Sequence, residues 1–117
     1  MRPEERDAAY LWDMLEAARE VQQMIGGSAV DDFLKNRVLM RATERTVEII
    51  GEAAGRISDG FKEAHPEVPW RQIKGQRNIL AHEYGQIDHQ LLFKTATIDV
   101  PALIARLERL LPPIEDE

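Results

Sequence analysis

Apolar residues in this chain recur at steps of three and four, with no convincing alternation anywhere, and that restricts it to packed helices. Leu11, Met14, Leu15, Ala18, Val21 and Ile25 mark a first amphipathic helix, with Pro3 in its first turn and Gly26-Gly27 at its end. Asp31 or Asp32 caps a second helix, which is expected to bury Leu34, Val38, Ala42, Ile49, Ala53 and Ile57 and to reach about Ser58. Asp59-Gly60 is a turn signal, and Gly51 and Gly55 allow a neighbour to approach closely. The stretch Glu63 to Pro69 holds two prolines and reads as a connector.

Pro69 opens a third helix through Trp70, Ile73, Ile79 and Leu80, with Gly85 as its end. A fourth starts near Asp88 and runs through Leu91, Leu92, Ala96, Leu103, Ile104, Leu107 and Leu110. Pro101 should kink or divide it, because proline cannot donate to the preceding turn, and Pro112-Pro113 stops it. Helices joined by short connections give an all-α, four-to-five-helix up-and-down bundle, with residues 1–117 as one domain.

Composition narrows the chemistry. At 117 residues with 44% hydrophobic side chains, the chain can build one real core but not two. With no cysteine, disulfides, thiolate metal sites and cysteine nucleophiles are excluded; His65, His82 and His89 are too few for a histidine-rich metal site, so no metal and no cofactor is expected. No apolar run is long enough to cross a membrane, and the charged start Met-Arg-Pro-Glu-Glu-Arg-Asp leads into no signal-peptide core. A cytoplasmic location without membrane partners is the expectation. The net charge of −6 is uneven: residues 35–77 hold 9 basic and 6 acidic side chains, whereas both flanking segments are acidic. A small basic site on an acidic molecule is therefore possible.

The chemistry concentrates in Gly75-Gln-Arg-Asn-Ile-Leu-Ala-His-Glu-Tyr84-Gly85. At about 100° per residue, Asn78 and His82 share a helix face, as do Arg77 and Tyr84, but Arg77 and His82 point about 140° apart. Either the helix ends near His82, or the site is completed across a subunit interface. Arginine with histidine, and no acidic metal ligands beside them, fits phosphodiester chemistry on RNA. Histidine titrates near the pH needed to deprotonate a 2′-hydroxyl, and a guanidinium forks onto phosphate oxygens without losing its charge. The plainer alternative is that His82 caps a helix C-terminus and Arg77 pairs with Glu83 or Asp88.

The segment resembles the Arg-x4–6-His motif of the HEPN superfamily, in the Arg-x4-His-x-Tyr form of HepT-type toxins, which Arg77, His82 and Tyr84 match without a gap. The resemblance extends to Ile49-Ile-Gly-Glu-Ala-Ala54, to Val68-Pro-Trp-Arg-Gln-Ile-Lys-Gly75 and to Asp99-Val-Pro-Ala-Leu103, and so spans roughly residues 32 to 111. It implies a helical bundle that forms a homodimer, with two motifs lining one cleft, and metal-independent ribonuclease activity. It further implies a toxin–antitoxin setting in which an MntA-like minimal nucleotidyltransferase transfers AMP from ATP to the motif tyrosine. Carried over residue by residue, Arg77 stabilises phosphate, His82 serves as base or acid, Asn78 is a positioning group and Tyr84 is the modified residue. A second reading, from related helical proteins, is a non-catalytic substrate-binding helper of a small nucleotidyltransferase.

Other candidates are weaker. Arg37, Arg41 and Arg45 form a basic stripe able to follow an RNA backbone, but Glu44, Glu48 and Glu52 repeat beside it and mutual pairing is the expectation. Trp70 is expected as a core or interface anchor, His65 and His89 as exposed loop or helix-start residues, and Glu52 as solvated or salt-bridged.

Overall fold

The computed structural model describes residues 3–74 and 88–111. Every regular element among the described residues is helical. α1 (Pro3–Ile25) is the longest, and all six apolar residues expected on its inner face are buried, from Met14, Ala18 and Val21 at 0% exposure to Ile25 at 4%. It ends where Gly26 takes φ +54°, a left-handed conformation that glycine adopts without a Cβ clash, and Gly26 donates its N–H to the Gln22 carbonyl.

The second helix is not continuous. A short α2 (Val30–Lys35) stops at Asn36, and α3 (Arg37–Gly55) begins immediately after it. Asn36 does both jobs: its backbone N–H bonds to the Phe33 carbonyl, while its side chain accepts from the Leu39 N–H at 3.0 Å. Asparagine favours this local bonding over a helix interior. The residue before α2 is Ala29, without a side-chain cap, so Asp31 and Asp32 lie in the first turn and do not cap it.

The break also changes the buried face. Val38, expected inside, is 79% exposed, and Leu34, Ala42 and Ile49 are only half-buried. Ala53 and Ile57 are buried as expected, but the inner row of α3 is Thr43, Val47, Ile50 and Ala54, again at helical spacing. Gly51 is buried. Gly55 is not a point of close approach, since a Cβ built there would meet nothing within 4 Å.

Asp59-Gly60 is not a free turn. It opens α4 (Asp59–Ala64), capped by Ser58, whose hydroxyl accepts from the Phe61 N–H at 3.2 Å. The connector is correspondingly shorter, residues 65–69. Val68 is buried within it, and the Trp70 indole donates to the His65 carbonyl at 2.9 Å. Helix resumes at 70–74, here α5, directly after Pro69.

α6 (His89–Lys94) is capped by Asp88, which accepts from the Leu91 N–H at 3.0 Å. It runs without interruption into a wide π turn (Thr95–Asp99) and then α7 (Val100–Leu110). The π turn is the form that the expected Pro101 disturbance takes. The proline ring crowds the carbonyl four residues back, at Thr97, and a wider turn relieves it. Val100 donates to Thr95, five residues back. α7 closes at Leu111, which is extended, as the residue before a proline prefers to be.

α1 packs along α3 and against α7, and Arg19 of α1 bonds Glu108 of α7 at 2.8 Å. α2 packs on α6, with the Phe33 and Phe93 rings 5.2 Å apart. The fold is an all-α helical bundle with its core between α1, α3 and the α6–α7 rod.

Candidate functional site

Arg77, Asn78, His82 and Tyr84, together with the expected course of the third helix through Ile79 and Leu80 to Gly85, lie outside the described residues. The described chain fixes what brackets them. On one side α5 carries the chain up to Lys74. Its base is anchored by Trp70, half-buried, whose ring meets Phe61 edge-on at 6.1 Å and 76°. Trp70 is thus the anchor expected of it. On the other side the Asp88 cap starts the α6–α7 rod.

A cleft of about 280 Å³ opens between α3, α5 and that rod. Its walls are apolar where Val47, Ile50 and Ile73 contribute, and polar where Asp99 and Arg106 face it. The Thr95 hydroxyl on this wall is buried and has no hydrogen-bond partner among the described residues. Ile98, at the π turn, is 59% exposed on the same rim. Nothing in the sequence marked Thr95, although Pro101 marked the place where its helix widens.

The charged rows on α3 sort as expected at their C-terminal end. Arg45 bonds Glu48 at 3.3 Å and Glu52 at 3.2 Å, so Glu52 is salt-bridged. These two bonds, Glu48 first, hold the Arg45 guanidinium still more firmly protonated. Glu44 is pushed above the usual carboxylate range by burial and then by Glu48, against the opposing pull of His89 and Arg41. Arg45 is therefore paired within its own helix, which is the expected pairing of the two charged rows.

His65 ends α4, with Nδ1 3.2 Å from Glu67 and its ring 4.4 Å from Phe61. Its own backbone N–H, and then His65, hold Glu67 below the usual range. His89 is the first residue of α6, a helix start as expected, and is half-buried. Among the described residues, no group of three or more His, Asp or Glu side chains is placed to hold a metal ion, and no helix is long and apolar enough to cross a membrane.

One polar contact lay beyond sequence reasoning. Asp7, 7% exposed on α1, accepts from both the backbone N–H and the hydroxyl of Ser58. It therefore fixes the N-terminus of α4, and through α4 the platform on which Trp70 sits. A separation of 51 residues leaves no local pattern from which to find it.

Comparison with known proteins addresses what such a scaffold serves. The model of a family described as "Ribonuclease HepT-like" matches residues 14–110. The chain is 40% identical over 100 residues to a "putative RNase" of Methanocaldococcus jannaschii, covering 86% of this chain and 92% of that protein. It is 38% identical over 101 residues to a "probable ribonuclease HepT" of Thermococcus cleftensis, again covering 86% and 92% of the two chains. A third relative, a "putative RNase" of Caldanaerobacter subterraneus, is 34% identical over 102 residues, 87% of this chain and 91% of its own. No solved structure gives a significant match.

Proposed function

The chain belongs to the HepT-like ribonuclease family, and we propose that it is a metal-independent RNA endonuclease acting as the toxin of a toxin–antitoxin pair in the cytoplasm. The observation that carries the proposal is the ungapped Arg77-x4-His82-x-Tyr84 motif in a chain whose family membership spans it.

His82 takes the proton of a ribose 2′-hydroxyl, and the resulting oxygen attacks the adjacent phosphorus. The bond from phosphorus to the 5′-oxygen breaks, leaving a 2′,3′-cyclic phosphate and a 5′-hydroxyl that takes up a proton. Arg77 holds the phosphate oxygens as negative charge builds on them. Asn78, four residues before His82, orients the imidazole. In a homodimer, two copies of the motif face one cleft, and the 140° divergence of Arg77 and His82 within one regular helix ceases to be an obstacle.

The cognate antitoxin is an MntA-like nucleotidyltransferase. The Tyr84 phenol attacks the α-phosphorus of ATP, pyrophosphate leaves, and the tethered AMP brings negative charge to the place where RNA phosphate must sit. Tyr84 lies only seven residues beyond Arg77 in the chain, so the tethered phosphate competes for the same guanidinium at high local concentration.

Expression of the wild-type chain and of His82→Ala without the antitoxin tests this reading. Growth arrest that disappears in the variant is expected. Identical growth of both strains would favour the non-catalytic helper of a nucleotidyltransferase instead.

A further inference from the structure

A groove of about 960 Å³ lies between α4 and α5, on the segment that leads into the motif. Pro66, Pro69 and Trp70 contribute its apolar wall. Its charged lining is three cations, Lys62, Arg71 and Lys74, against one acid, Asp59. Arg71 and Lys74 are exposed, and no ion pair engages any of the three among the described residues. Of the other nearby acids, Glu67 is engaged by His65 and neither it nor Glu63 lines the groove. On a chain of net charge −6, a groove lined by two more cations than acids is the exception to the general field.

The platform beneath it is tied by hydrogen bonds at both ends. Ser58 caps α4 under the hold of Asp7, and the Trp70 indole is bonded to the His65 carbonyl. The backbone positions that carry the cations are therefore set by the fold. The groove is also tied to the motif by the chain itself: Lys74 precedes Arg77 by three residues, a covalent reach of at most about 11 Å.

We propose that this groove is a backbone track that holds the phosphates of single-stranded RNA on Lys62, Arg71 and Lys74 and delivers the strand to the motif. The proposal rests on the ribonuclease reading for its substrate. Trp70 serves as wall and not as a stacking platform, since its ring is already held edge-on by Phe61. Recognition here is by charge, and it carries no sequence preference.

The test is fluorescence anisotropy with a labelled single-stranded oligoribonucleotide over a range of salt, in the full chain carrying His82→Ala so that RNA stays intact. Lys62→Gln, Arg71→Gln and Lys74→Gln are introduced together. A control of equal charge change, Arg6→Gln, Arg19→Gln and Arg109→Gln, alters no residue lining the groove. The groove variant should bind about tenfold or more weakly and show a log–log salt slope shallower by about 2, at about 0.7 per phosphate on a single strand. The control should stay within about twofold.

Equal loss in groove variant and control, or unchanged binding and slope in the groove variant, would overturn the track. So would absence of RNA binding by the starting chain. Cleavage by the wild-type chain is measured alongside. Selective loss of binding in the groove variant, with no cleavage by the wild type, would retain the track and remove the nuclease.

Discussion

Asp7 and Ser58, 51 residues apart, are joined by two hydrogen bonds: the Asp7 carboxylate accepts the Ser58 N–H at 2.9 Å and its hydroxyl at 2.6 Å. The same hydroxyl accepts the Phe61 N–H, so one carboxylate on α1 settles how α4 starts. Asp7→Ala removes both hydrogen bonds to a charged carboxylate and should cost about 1–3 kcal/mol in urea unfolding. Ser58→Ala should cost a similar amount, and the double variant less than the two together, because both remove one contact. Additive losses would show that the two residues act independently.

Thr43 is fully buried on the inner face of α3, and its hydroxyl has no hydrogen-bond partner among the described residues. Thr43→Val removes that burden at little change in shape and should leave stability equal or raise it by about 1 kcal/mol. A clear loss of stability in chemical denaturation would mean that the hydroxyl is satisfied in solution.

Glu44 supplies a pH dependence. Burial and then Glu48 hold its carboxyl above the usual range, while His89 and Arg41 pull the other way. A carboxyl so raised binds its proton more tightly in the folded chain. Its contribution to stability is thus complete below the ordinary glutamate value of about 4.3 and is lost as pH rises through the folded value. Glu44→Gln should flatten the melting temperature from about pH 4.3 upward and raise it at neutral pH by about 1–3 °C. An unchanged slope in a pH series of thermal melts would assign the dependence to other groups.

What could be read from the sequence follows the range of the interactions involved. The inner face of α1, from Leu11 to Ile25, was fully legible because it is set by a local period over many turns. The helix start near Asp88 and the disturbance at Pro101 were legible for the same reason: each is set within one turn. The end of α2 at Asn36 was not, since asparagine is tolerated in helices and only its bond to the Leu39 N–H shows that it breaks this one. That break left Val38 assigned to the wrong face. Asp59-Gly60 misled because a residue pair that favours turns also suits the first turn of a helix capped by Ser58. The groove was hidden for another reason. Lys62, Arg71 and Lys74 share no single helical period, and only the packing of α4 beside α5 brings them to one surface.

Tyr84→Phe tests whether modification and cleavage are separate. With the cognate nucleotidyltransferase, ATP and magnesium, intact mass should show one or more AMP units on the wild-type chain and none on Tyr84→Phe. The variant should keep most of its RNase activity, because the phenol takes no part in the proposed cleavage. Undiminished modification of the variant would exclude Tyr84 as the acceptor. Loss of both modification and cleavage would place the tyrosine in the cleavage chemistry itself.

The central claim is that Arg77 and His82 cleave RNA without a metal, and the most direct test is purified protein with an RNA oligonucleotide in excess EDTA. The wild type should cleave and leave 2′,3′-cyclic phosphate ends, while Arg77→Ala and His82→Ala should each slow cleavage by about 100-fold or more. Cleavage abolished by the chelator and restored by magnesium, or undiminished in His82→Ala, would contradict the account.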